Sequence, residues 1–149
     1  MRRFALALGW LTLVLFLGSA WFGAQQTQRW VVPVLGALAP TASRADLQTA
    51  HAVTRKLAHV TEYAVLALLW MRAARARRAG LRTASWIALA VCVLCAFVDE
   101  AHQSMLLTRT GSAADAVLDS LAALTALVIV RTRATEAARL PAAAAGEAA

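Results

Sequence analysis

The chain has 149 residues, of which 60% are hydrophobic and 15% charged, with a formal net charge of +7. Its mean hydropathy is +0.61, and so low a charged fraction is foreign to an ordinary soluble domain. The apolar residues come in long uncharged blocks, the mark of a chain whose solvent is lipid. The basic residues form no patch interleaved with aromatics, so no nucleic-acid partner is expected.

The first block, Phe4 to Ala24, is uncharged and follows Arg2 and Arg3. At about 20 residues it is long enough to cross a bilayer. Gly18-Ser19-Ala20 has the composition of a signal-peptide cleavage site. The apolar run continues past it and further spans follow, so an uncleaved anchor is expected. The segment Gln25 to Arg55 is ambiguous. Its apolar stretch "RWVVPVLGALAP" is too short to span and is expected to be broken by Pro33 and Pro40. An interfacial or re-entrant piece and a loop with a hydrophobic patch both stay open.

The second block, Leu57 to Met71, is short and contains His59 and Glu62. Helical propensity continues upstream of it, and "SRAD" at Ser43–Asp46 predicts a capping box that opens the helix. A basic stretch, "RAARARRAGLR" (Arg72–Arg82), leads into the third block, Thr83 to Val98. That block holds Cys92 and Cys95 in a C-x-x-C spacing. Hydrocarbon opposes the thiolate that redox or metal chemistry needs, so both are read as small packing residues. The fourth block opens at "SAAD" (Ser112–Asp115), a second predicted capping box, and ends at Val130 before Arg131 and Arg133. The expected division is a transmembrane domain over 4–130 and a cytoplasmic tail over 131–149, Ala-rich and disordered beyond Pro141.

Charge orients these blocks. Arg2 and Arg3, the Arg72–Arg82 cluster, and Arg131, Arg133 and Arg139 all fall on one side if four spans leave both termini in the cytoplasm. The expectation is an all-α, polytopic four-helix bundle in a membrane. Polar residues then gather at its extracytoplasmic side. Arg55, Lys56, His59, Glu62 and Tyr63 begin the second span, and Asp99, Glu100, His102 and Gln103 end the third. Asp115 and Asp119 begin the fourth, with Arg109 in the connection before it. Only Glu136 and Glu147, of eight acidic residues, fall inside. Lys56, His59 and Tyr63 share a helix face, as do Asp115 and Asp119, and Asp99 aligns with His102 and Gln103. Glu62 lies about 9 Å along its helix from Lys56, and Asp119 about 6 Å beyond Asp115. An ionisable group at such depth costs roughly 2.5 kcal/mol or more against lipid. The set is therefore expected to face itself or a wet cavity.

"RKLAHVTEYAVLALLW" (Arg55–Trp70) and "VDEAHQSMLLTRTGSAADAVLDSLAALTA" (Val98–Ala126), in this span order, resemble the VanZ-like family of small multi-pass bacterial membrane proteins. The resemblance runs over about Phe4 to Val130 through the paired patterns R-K-x-A-H-x-x-E-Y and D-E-x-H-Q…R…D-x-x-x-D. It implies that the twelve polar residues named above, Arg55 through Asp119, form the family's polar signature. Val60 stands where the family usually has an aromatic, and Ala122 and Ala123 where it often has glycine. The name comes from a member linked to resistance to the glycopeptide teicoplanin, which implies a role in the cell envelope.

The residue types suggest chemistry on a phosphate. Arg55, Lys56 and Arg109 make a cationic rim, with Tyr63, Gln103 and Asp115 as further binding groups. His59 and His102 supply nucleophiles or acid–base groups, oriented by Asp99, Glu100, Glu62 or Asp119. The leading expectation is hydrolysis or exchange of a phosphate-linked head group on a lipid or lipid-linked wall precursor. The alternative is binding of an anionic lipid or glycopeptide without turnover. "HVTE" is not H-E-x-x-H, and the rim opposes a cation, so no metal or other cofactor is expected. A proton-coupled transporter fits least, since the polar residues do not continue to the cytoplasmic side.

Overall fold

A computed structural model describes residues 2–105 and 112–146, with no account of side chains from residue 140 onward. The described residues form five α-helices: α1 (Arg2–Leu17), α2 (Ala24–Leu38), α3 (Arg44–Arg75), α4 (Leu81–Ser104) and α5 (Ala113–Gly146). A single 3₁₀ turn at Ala20–Phe22 joins the first two.

Small residues decide how the helices meet. On α4, Ala84, Ala88, Cys92 and Ala96 recur every four residues and are all completely buried. On α5, Ala116 and Ala123, two turns apart, are also completely buried, and on α3, Ala67 and Ala74 lie on the inward stripe with Tyr63 and Met71. Without bulk between them, backbones approach closely, which is how helices pack when lipid supplies no hydrophobic drive. Cys92 is one more small residue in that row, and both cysteines are free thiols. Ala122, next to Ala123, also lies on the buried side.

α1 packs along α3. The Trp10 indole Nε1–H donates to the Glu62 carbonyl at 2.9 Å, and Phe4 meets Trp70 edge-on with ring centroids 6.0 Å apart. The predicted uninterrupted span from Phe4 to Ala24 is corrected: α1 stops at Leu17, and α1 and the following helical segment are bent by 61°. Gly18, at the break, sits against Asp99 of α4, whose carboxylate occupies the space a Cβ would need. The helix gives way where the chain passes a buried acid.

Downstream, Pro33 does not break the segment it was expected to break. It lies inside α2, which ends at Leu38, short of Pro40. The Ser43 capping box forms as predicted: the Ser43 side chain accepts from Asp46 N–H, and Asp46 accepts from Ser43 N–H at 3.1 Å. At its other end the chain continues as α5 through Pro141 to Gly146, where no regular structure was expected.

Two helices are long and apolar enough to cross a membrane, α4 and the Ala113–Arg139 part of α5. The bent α1–α2 pair passes the same test only when taken together. α3 does not pass, because His59 and Glu62 interrupt its apolar stretch.

The Gly18 contact is testable. Gly18→Ala should lower the unfolding midpoint of the detergent-solubilised protein, by about 1–3 kcal/mol in stability for overpacking against Asp99. Gly9→Ala, with nothing near its Cβ, should be neutral or stabilising. Equal stability of Gly18→Ala and the parent would refute the close approach.

Candidate functional site

The three helices that meet along small residues change character at one end. The inward stripe of α3 passes from Ala67 to Tyr63 and then His59; that of α4 passes from Ala96 to Asp99 and Gln103; that of α5 carries Asp119 between Ala123 and Ala116. Asp99, Glu100, Gln103 and Asp119 are 2%, 7%, 4% and 1% exposed, so four polar side chains lie inside the bundle.

Cross-helix bonds tie them. His59 Nδ1 lies 3.3 Å from Asp119 Oδ2, joining α3 to α5. The Lys56 ammonium pairs with Asp115 at 3.3 Å one turn further out, but with the lysine side chain 63% exposed. The first contact is screened from water and the second is not, so only the first is expected to weigh on stability. Gln103 Nε2 donates to Asp99 Oδ2 at 2.7 Å, one turn along the same helix. Glu100 Oε2 accepts the backbone N–H of Ser112 at 2.6 Å, which fastens the start of α5 to the end of α4.

That last bond corrects the second predicted capping box. The Ser112 N–H, which Asp115 would take in such a box, goes to Glu100 instead. Asp115 is thereby available to Lys56.

Arg55 was expected to bind substrate. One of its terminal nitrogens donates to the Phe22 carbonyl at 3.0 Å and to the Thr27 hydroxyl at 3.2 Å. The same hydroxyl lies 3.0 Å from His51 Nε2. Arg55 therefore clasps the bend between α1 and α2 onto α3. Sequence reading missed this clasp, since neither Thr27 nor His51 stands out by spacing, and a carbonyl partner such as that of Phe22 leaves no trace in side-chain chemistry.

Two cavities flank Arg55 and His59. One of about 190 Å³ is lined by His51, Arg55, Lys56, His59, Asp115 and Asp119. The other, of about 160 Å³, lies toward α1 and is lined by Leu17, Phe22, Thr27, Arg55, His59 and Glu62. Tyr63 is fully buried beside these groups, and its hydroxyl has no partner among the described residues; neither does Asp119 Oδ1.

The structure thus brings Lys56, His59, Asp115 and Asp119 together, with Arg55 and Glu62 around them. Asp99 and Gln103 are buried as a pair, and Glu100 serves the α4–α5 junction. His102, expected to converge with His59, is exposed on α4. At about 100° per residue it falls away from the face that carries Asp99, Glu100 and Gln103. Arg109 lies outside the described residues. Among the described residues, no group of three or more His, Cys, Asp or Glu side chains could hold a metal ion.

Hydrophobic helices whose close-packed interior ends in a histidine–carboxylate pair beside a cation define a membrane-type bundle with a polar pocket. The family model described as VanZ/LLP1 matches residues 4–134, and the chain belongs to that family. Neither a curated protein nor a solved structure matches it.

The His59–Asp119 contact makes a measurable claim. Removing either partner strands a buried polar group, so His59→Asn and Asp119→Asn should each destabilise. A double-mutant cycle read by thermal unfolding should give a coupling of about 1–3 kcal/mol. Strict additivity of the two substitutions would show that the pair does not interact. The same cycle on Lys56 and Asp115 should give under about 1 kcal/mol.

Proposed function

We propose that this protein acts on the phosphate-linked head group of a lipid, or of a lipid-linked cell-wall precursor, at the extracytoplasmic face of a bacterial inner membrane. The observation that carries the reading is the His59–Asp119 contact at the wall of a cavity that also holds Lys56 and Arg55. With ionised Asp119 accepting, Nδ1 carries the hydrogen and Nε2 keeps its lone pair. That nitrogen then removes the proton from an attacking water or hydroxyl, or attacks phosphorus itself. The phosphorus–oxygen bond to the leaving group breaks, and the departing oxygen takes back the proton held by the imidazolium. Where Nε2 has itself bonded to phosphorus, the departing oxygen takes a proton from water, and a water or acceptor hydroxyl then displaces the imidazole and breaks the phosphorus–nitrogen bond. Lys56 and the remaining donors of Arg55 neutralise the phosphate oxygens. The chemical step is assigned to His59, since His102 faces outward.

The proposal includes four spans with both termini cytoplasmic. Support for α3 as the additional span comes from its inward polar residues: Tyr63 is buried and His59 is paired, so little of its polarity meets lipid. The arginine clusters agree with this orientation. Through its family the reading extends to glycopeptide (teicoplanin) resistance, as altered handling of lipid-linked precursors.

Topology is checked with reporter fusions. Those after Arg82 and Arg133 should read cytoplasmic and one after Thr110 extracytoplasmic. A cytoplasmic signal from the Thr110 fusion would overturn the orientation.

Activity is checked by incubating purified protein with a panel of phospholipids and polyprenyl phosphates and scoring products by mass spectrometry, with and without chelator. A head-group product is expected. Turnover by folded His59→Asn should fall by about 10²-fold or more, whereas Lys56→Gln should mainly weaken binding. Binding without any product would leave the non-enzymatic reading, an anionic-lipid or glycopeptide binder. Undiminished turnover by His59→Asn would refute the assigned step.

A further inference from the structure

We propose that α2 is a membrane-surface helix, held in the lipid interface at the end of the bundle that carries the polar site, through a stripe made of Trp30, Val34 and Leu38. These residues recur every four positions and so share one face. They are 78%, 60% and 79% exposed, and Trp21, just before the helix, is 81% exposed.

The opposite side of α2 is mixed, with Val32, Pro33 and Gly36 beside its polar residues. Gln25, Gln28 and Arg29 line a groove against α3, together with Arg44 and Gln48. Closer in, a Cβ on Gly36 would meet Leu47 of α3 at 3.6 Å. A helix in water turns its apolar stripe toward its neighbour and its polar residues outward. α2 instead leaves the Trp30, Val34 and Leu38 stripe bare while Val31, Val32 and Leu35 are its half-buried residues, and an apolar solvent is the surrounding that makes the bare stripe stable.

Three observations select lipid as the occupant. Like α2, α1 carries exposed apolar side chains, at Leu6, Leu13 and Phe16. The 61° bend turns the chain away from the direction of α1, and tryptophans before and within α2 are the residues enriched at membrane–water interfaces. Finally, Arg29 and Arg44 form no ion pair among the described residues, and no carboxylate lines their groove. Arginines without a paired carboxylate on the face opposite a lipid-seated stripe complement the phosphates of anionic lipids, whose head groups lie above the acyl chains.

The clasp gives this seating a consequence. Arg55 holds Phe22 and Thr27, so the depth of α2 in the interface also sets the depth of the cavities around His59. The inference stands whether the His59 site turns lipid over or only binds it.

The test uses the full-length protein in vesicles of phosphatidylethanolamine and phosphatidylglycerol. Val34→Cys, in a Cys92→Ala, Cys95→Ala background, is labelled with an environment-sensitive fluorophore. The expected result is a blue-shifted emission, quenched more by a nitroxide high on the acyl chain than by one near the bilayer centre. A Gln28→Cys label should show neither effect. Water-like emission, or stronger quenching from the bilayer centre, would overturn the proposal. So would efficient cross-linking of Val34→Cys between two chains without lipid quenching, because the stripe would then be a dimer contact. If the cysteine-free protein does not fold, the native-cysteine protein serves. Shallow brominated lipids should quench its tryptophan emission, and replacing Trp21 and Trp30 by Phe should abolish most of that quenching; unchanged quenching would again overturn the proposal.

Discussion

Close contact between α3, α4 and α5 along their small residues is the constraint on which the rest of the protein depends. Alanine and cysteine at every turn of α4 allow the approach, and they leave no bulk to fill a gap. Where the row continues into polar residues, the same closeness forces those groups to find partners across helices. Asp119 is 1% exposed because it occupies the next position after Ala116 and before Ala123 on an already buried stripe. A buried carboxylate unpaired in such a place would be costly, so the His59 contact is a requirement of the packing as much as of chemistry.

Part of this was legible in the sequence. The all-helical class, the Ser43 cap and the gathering of polar residues at the ends of three apolar blocks follow from hydropathy, capping chemistry and charge alone. The His59–Asp119 partnership was within reach of spacing only as one of several pairings, since a helix face narrows the partners without choosing one. His102 shows the limit. It aligns loosely with Asp99, yet Glu100 and Gln103 are what turn inward, because Ala96 and Cys92 had already fixed the buried face. Reading the small-residue row of α4 as a packing surface would have placed His102 off the buried stripe.

The rest was illegible for a different reason. A hydropathy window sees Phe4 to Ala24 as one uncharged block and cannot detect that Gly18 passes the Asp99 carboxylate. Nor can it anticipate that Arg55 answers a carbonyl exposed by the break in the helix. Both features join residues distant in the chain, and neither carries a periodic signal. Pro33 misleads in the opposite way: the proline rule is local, while α2 is held along α3 by contacts such as that of Gly36 with Leu47.

The polar end combines two kinds of bond with different demands on them. Gln103 to Asp99 at 2.7 Å and Ser112 to Glu100 at 2.6 Å are short and lie within α4 or at its junction with α5. They set the frame, and a ligand would gain little by competing with them. The contacts of His59 with Asp119 and of Lys56 with Asp115 are both 3.3 Å, and both pairs line the same cavity. Under the proposed function, the more exposed Lys56–Asp115 pair is the one an incoming anion would replace, while Asp119 keeps the imidazole oriented. In that reading holding and exchanging fall to separate residues, one turn apart on α3 and on α5.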